Sequence, residues 1–511
     1  MINQAIPTSR FPHWSRSASV LVVLALLAVL IPVPQAPPIA PRAQPILLQM
    51  AAARPDAAVR VIVQKLGHDT RAERLVLQLG GSITMDLSLI NAFAAQVPAR
   101  AVATIARAAS VRWVSFDAPI DTDACSDCVD TSRATSAWLQ ATRVKDLWAW
   151  NPGLQGQGVS VAVVDSGINP QQDLYTRMGV NRLIAAVRFN DGYNQTVYDN
   201  YGHGNHVAGI IGSNGDRSGG VYVGMAPMVN LINVKVSDDE GRATIANVVD
   251  GLQWIYENKD RYNIRVVNLS LNATVAESYH TSPLDAAVEI LWFNKITVVV
   301  SAGNRGAAGL YPPANDPFVI TVGATDDKST PGTSDDTIAS FSAYGTTTDG
   351  IAKPDLVAPG TNIVSLMANP NSLLATRYPD HVVNQTYFRM SGTSMAAPMV
   401  AGAVALLLQD EPHLTPDQVK YRLKATARPF DTPTRAGAGY LDVNTTIRGN
   451  TTASTNTGIT ASRLLWSGPT SLPWQSNAWD SASWGSASWG SASWGSASWG
   501  SASWGSDYWG N

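Results

Sequence analysis

Residues 159–168 read VSVAVVDSGI, and this stretch decides the fold. It is apolar at almost every position until an acid, Asp165, ends it. A strand with one wet face alternates apolar and polar residues, whereas an unbroken apolar run belongs to a parallel strand covered on both faces. Four more runs share this character, at 229–236, 265–271, 296–301 and 318–323. Helical stretches lie between them. Residues 243–258 put Ile245, Val248, Val249, Leu252, Ile255 and Tyr256 on one face, and 394–409 is small and apolar nearly all round, as a buried helix must be. Strands alternating with helices imply a three-layer α/β domain over 137–446, with a mainly parallel central sheet and right-handed crossovers.

Outward from this domain the character changes. Residues 54–120 follow the order strand, helix, strand, strand, helix, strand, with β-branched and aromatic runs at 59–63 and 111–116 and an Ala-rich helical stretch at 98–109. That predicts a small α+β domain of about seventy residues, near the lower limit for a self-sufficient core. The polar segment 121–136 reads as a linker. Cys125 and Cys128 within it are the only cysteines. In an exported chain they suit a local disulfide better than a redox or zinc site, because neither a thioredoxin-like unit nor further metal ligands accompany them.

The two ends are not domain-like. Arg10 and Arg16 precede fourteen residues, ASVLVVLALLAVLI at 18–31, and then a Pro-rich stretch. This is the pattern of a secretory signal, taken as 1–36, and the run is short of the roughly twenty residues that span a bilayer. Residues 447–480 form a Ser/Thr-rich linker. From 481 to 511 the chain is a low-complexity tail carrying five copies of SASWG. A period of five matches neither strand nor helix, so the tail reads as flexible; a row of aromatic platforms for a polymer or cell surface is the alternative. Net charge of −3 leaves no basic footprint for nucleic acid.

Three segments carry groups suited to nucleophilic chemistry. Asp165 stands at the strand end where open parallel sheets place their sites, although a lone Asp there also serves as a helix cap. His203 lies between two glycines in DNYGHGNHVAGIIG (199–212), where the backbone can turn and another chain can approach. Its spacing from His206 is not that of a zinc pair. Ser394 sits in MSGTSMAAPMVAGAVALLL (390–408) where a turn enters a helix, so free N–H groups favour negative charge there; a simple helix cap is the other reading. Pro398 is compatible with helix entry. Asn304 in VVVSAGNRG (298–306) offers an amide donor or a turn.

Together these segments resemble the subtilase (subtilisin-like) family of serine peptidases, through VVDSG, GHGNHVAG, AGN and GTSMAAP. The order Asp, His, Ser is the one known for subtilisin. The resemblance implies Asp165 as orienting acid, His203 as general base, Ser394 as nucleophile, and Asn304 with the Ser394 N–H as oxyanion donors. It implies protein or peptide substrates, bound by β-augmentation between Glu240-Gly241-Arg242 and Ser270-Leu271-Asn272. Ser301, Ala302 and Gly303 would wall the first specificity pocket, whose small residues suit large apolar side chains. Asn272 replaces a common Gly, and Asn205 a common Thr. The domain at 54–120 is similar to an inhibitory propeptide, with WVSFDAPIDTDA (113–124) as its active-site end and self-cleavage between 120 and 130.

No cofactor is needed for this chemistry. Structural calcium is an expectation at Asp173, though the loop 213–223 matches the usual binding loop poorly and further oxygen ligands are required. The resemblance implies a secreted zymogen, released to the medium or kept at the surface. An esterase of the α/β-hydrolase type is disfavoured, since no GxSxG elbow surrounds Ser394. A non-catalytic surface protein on the same scaffold is the remaining alternative.

Overall fold

The computed structural model describes residues 42–122, 137–176, 178–190 and 196–465. The expected signal, the two cysteines and the SASWG repeats lie outside the described residues.

The large domain is built on an eight-stranded sheet. Its strands run in the order Thr337–Ile338, Ile320–Asp326, Thr297–Ser301, Ile264–Leu269, Ser160–Asp165, Asn230–Lys235 and Leu183–Arg188, with Leu356–Pro359 also pairing with Ile320–Asp326. All pairs are parallel except that of Thr337–Ile338. Ser160–Asp165 lies inside the sheet, paired on both sides, and each of its six residues is buried. From it the chain passes first to the edge strand Leu183–Arg188 and back, then to the other side. Asp165 therefore ends the strand at the topological switch point, where crevices open in such sheets. The helix Thr393–Asp410 packs on the central strands and against the helix His203–Gly212.

All five apolar runs form strands, with ends shifted by a few residues. The stretch 265–271 divides into Ile264–Leu269 and the short Leu271–Ala273. The edge strand Leu183–Arg188 has no counterpart among those runs: its LIAAV is apolar, yet at the edge of the sheet it is only half-buried.

The small domain has the predicted order of strands and helices in an antiparallel sheet. Its first strand, Ala58–Lys65, shows how alternation is used. Val59, Val61 and Val63 face the domain's own helices, while Ile62 on the other face joins the main core with Leu87, Leu89 and Ile90. One sheet thus serves two cores. Two expected boundaries move. The domain begins earlier than 54, because the helix Pro45–Ala53 inserts Leu47 into its core and Ala43 bridges Val114. The large domain extends past 446. Arg422 donates to the Thr451 carbonyl, and Asn456 Nδ2 reaches Asp417 Oδ1 at 2.7 Å. The segment read as linker is therefore packed as far as Leu465.

Candidate active site

Asp165 and His203 meet at this strand end. His203 Nδ1 lies 2.7 Å from Asp165 Oδ1, and both side chains are fully buried. A carboxylate there fixes Nδ1 as the protonated nitrogen, so Nε2 carries the basic lone pair. The flanking glycines are sterically required. Gly202 has φ +111°, and a Cβ on Gly204 would come 2.2 Å from the Gly167 carbonyl. The helix His203–Gly212 thereby rests directly on the loop that follows Asp165.

Polar groups lock this junction. Ser166 Oγ accepts from Gly204 N at 2.9 Å and donates to Asp199 Oδ1 at 2.8 Å. Asp199 also accepts from the Gly202 and Asn205 backbone N–H groups at 2.7 and 2.8 Å, capping the helix that begins with His203. Burial pushes the Asp199 carboxyl above its usual range, and the nearby Asp165 charge adds to this. The Asn205 amide bonds both the N–H and the carbonyl of Asn169, at 2.7 and 3.2 Å. His206 is structural. Its Nε2 donates to the Ile363 and Phe388 carbonyls, and burial pushes its pKa down to about 3.

Ser394 occupies the first turn of Thr393–Asp410, and its Oγ donates to the Ser270 carbonyl at 3.2 Å. Pro398 lies in the second turn of the helix. It has no N–H for the carbonyl four residues back, which belongs to Ser394. Ser270 Oγ supplies the missing donor at 3.0 Å, and itself accepts from Asn268 Nδ2 at 2.9 Å. The proline thus ties Ser394 to the strand edge beside it.

Asn304 is aimed by Thr393. Its Oδ1 accepts from Thr393 N and Thr393 Oγ1, each at 3.0 Å, which turns the Nδ2 end of the carboxamide the opposite way. Thr393 Oγ1 also accepts from Gly303 N at 3.1 Å.

The groove is occupied by the chain itself. The strand Pro119–Thr122 pairs antiparallel with Leu271–Ala273 on one side and Ala243–Thr244 on the other. The partner strand lies just beyond the expected 240–242. Gly241, at φ +79°, instead lies over the Tyr201 ring, which a Cβ would approach to 2.7 Å. Ser301 ends its strand, and Ala302 N bonds the Val322 carbonyl. Asn272 Nδ2 donates to the Ser301 carbonyl at 3.0 Å, and its Oδ1 lies 3.1 Å from where a Gly303 Cβ would stand. The Asn272 carboxamide therefore spans the gap between Leu271–Ala273 and the 301–303 wall.

Asp173 does not fit a calcium ligand. Its Oδ1 accepts from Arg217 N at 2.8 Å, and its Oδ2 from Tyr387 Oη at 2.6 Å and Ser213 Oγ at 3.3 Å. Both oxygens face N–H or O–H donors that a cation would have to displace. Among the described residues no three His, Cys, Asp or Glu side chains are grouped to hold a metal.

Residues 156–459 match the model of the Subtilase family. The chain is 41% identical over 321 residues to serine protease AprX of Bacillus subtilis, covering 61% of this chain and 71% of that protein. It is 35% identical over 307 residues to subtilisin BL of Lederbergia lenta, covering 60% of this chain and 97% of that one. Among solved structures, fervidolysin from Fervidobacterium pennivorans, a keratinolytic enzyme related to subtilisin, has the same fold. It aligns with TM-score 0.61 at 22% identity, over 77% of this chain and 61% of that chain.

Proposed function

The chain belongs to the subtilase family and is a serine endopeptidase, and on that premise we propose that it is a secreted, self-processing zymogen acting through Ser394, His203 and Asp165. Ser394 Oγ attacks the substrate carbonyl as His203 Nε2 accepts its proton, and Asp165 stabilises the imidazolium. The tetrahedral oxyanion receives hydrogen bonds from Asn304 Nδ2 and the Ser394 N–H. Collapse expels the amine, protonated by His203, and water then releases the acyl group by the same path in reverse.

One observation carries this reading. Ser394 Oγ lies 3.2 Å from the carbonyl of Ser270, the residue next to Leu271, where the chain's own strand Pro119–Thr122 is paired. An extended peptide in the groove thus runs directly toward the nucleophile, as β-augmentation requires. The small domain that supplies this strand is the inhibitory propeptide. Since Thr122 pairs with Leu271, one residue short of Ser270, the maturation cut is expected between Asp123 and Ala124. In the mature enzyme the Asn272 carboxamide, bonded to the Ser301 carbonyl, narrows the first specificity pocket, against the large apolar side chains expected from its small wall residues alone. The apolar N-terminal run directs export.

Purified full-length chain tests the processing directly: a mature N-terminus at Ala124 is expected. An N-terminus outside 120–130 would refute the assignment of 113–124 as the inhibitory end.

A further inference from the structure

The segment 460–465 lies in the seam between propeptide and peptidase. On the peptidase side, Tyr279 Oη donates to the Thr460 carbonyl at 2.8 Å, Ser462 N to Glu289 Oε2 at 2.7 Å, and Arg463 N to the His280 carbonyl at 3.0 Å. On the propeptide side, Gln64 Nε2 donates to the Leu464 carbonyl at 2.8 Å and Arg112 Nη1 to the Arg463 carbonyl at 3.2 Å. Leu464 and Leu465 are 3% and 0% exposed, within the cluster that holds Ile62, Leu89 and Ile90 of the propeptide.

Gln64 makes the contact specific. It stands on the strand face otherwise given to Ile62, and it is 3% exposed. A carboxamide buried there is costly unless its donors are used. Nε2 uses both, on the Ile90 carbonyl at 2.9 Å and the Leu464 carbonyl. An apolar residue would serve the propeptide fold alone; the amide serves the backbone of the C-terminal segment.

We propose that residues 460–465 are a clasp by which the peptidase holds its own propeptide, so that the clasp loosens when the propeptide leaves. This rests on the zymogen reading above. Cleavage after the groove strand severs the covalent link but leaves the clasp intact, so the cut propeptide stays bound and delays activity. Its departure then uncovers Leu464 and Leu465 at the root of the SASWG tail.

The test compares full-length wild type with Arg112→Ala on the propeptide side and Leu464→Asp on the peptidase side. Mass spectrometry follows the cut, and a chromogenic peptide follows the onset of activity. Both variants should cut at the wild-type rate and reach the wild-type steady-state rate. The lag between cut and activity should shorten, by about tenfold or more for Leu464→Asp, as expected when a buried leucine contact is lost. A cut followed by an unaltered lag in both variants overturns the clasp alone, whereas no cut in wild type defeats the zymogen reading. Should Leu464→Asp fail to accumulate, hydrogen exchange decides. Leu464 and Leu465 amides should be protected in full-length Ser394→Ala and exchange faster in the mature enzyme. Equal protection in both refutes the clasp.

Discussion

The bond between Ser270 Oγ and the Ser394 carbonyl allows a quantitative test of how this site is held. Replacing Ser270 with Ala strands two buried groups, the Ser394 carbonyl and Asn268 Nδ2. Each unsatisfied group costs about 1–3 kcal/mol, so the variant should lose about 2–6 kcal/mol. Pro398→Ala should offset part of this loss, because the alanine brings an N–H four residues after Ser394 and can close the helical bond the proline forbids. The double variant should then be more stable than the sum of the singles by about 1–3 kcal/mol, the cost of one stranded carbonyl. Urea unfolding in the Ser394→Ala background measures this without self-digestion and leaves the carbonyl in place. Additive effects of the two substitutions would refute the view that Ser270 replaces the donor missing at Pro398.

Asn304→Ala should lower kcat about 10²–10³-fold with little change in KM, the size of loss found for an oxyanion asparagine in subtilisin itself; steady-state kinetics on a peptide substrate checks it. Burial pushes the Glu277 carboxyl up from 4.5 to about 8 beside Ser115 of the small domain. A raised acid binds its proton more tightly in the folded precursor, so its contribution is full below about 4.5 and is lost as pH rises to about 8. Glu277→Gln should therefore flatten the pH dependence of Ser394→Ala precursor stability between those values, measured by urea midpoints. Asn272→Gly should raise kcat/KM for substrates with Phe or Tyr before the cut bond relative to those with Ala, measured with matched chromogenic peptides.

Much of the fold was legible because its signals are local. Ser160–Asp165 and the four other strands foreseen are near-continuous apolar runs, the mark of parallel strands covered on both faces. The four segments around Asp165, His203, Ser394 and Asn304 stood out for the same reason. What escaped depends on contacts distant in sequence. Asp199 looks like any loop acid until Ser166, from the loop after the central strand, is seen to donate to it. Thr393 is one residue from Ser394, yet its role appears only when Gly303 and Asn304 arrive from the loop after Thr297–Ser301. The helix His203–Gly212 is hidden by two interior glycines, Gly204 and Gly209, whose poor helix propensity is outweighed by the close packing they permit. Residues 451–465 have linker composition, and what fixes them in place comes from far along the chain, including Arg422, Asp417, Glu289 and Gln64.

The most direct test of the whole account is to express the full-length chain beside Ser394→Ala and determine intact masses and N-termini for both. Wild type should lose everything before Ala124 and hydrolyse peptide, while the variant stays joined across that bond and inactive. A variant that is cut at the same place in pure form would show that Ser394 is not the nucleophile of its own maturation. Wild type that stays whole and inactive would contradict the zymogen account and favour a non-catalytic role for the scaffold.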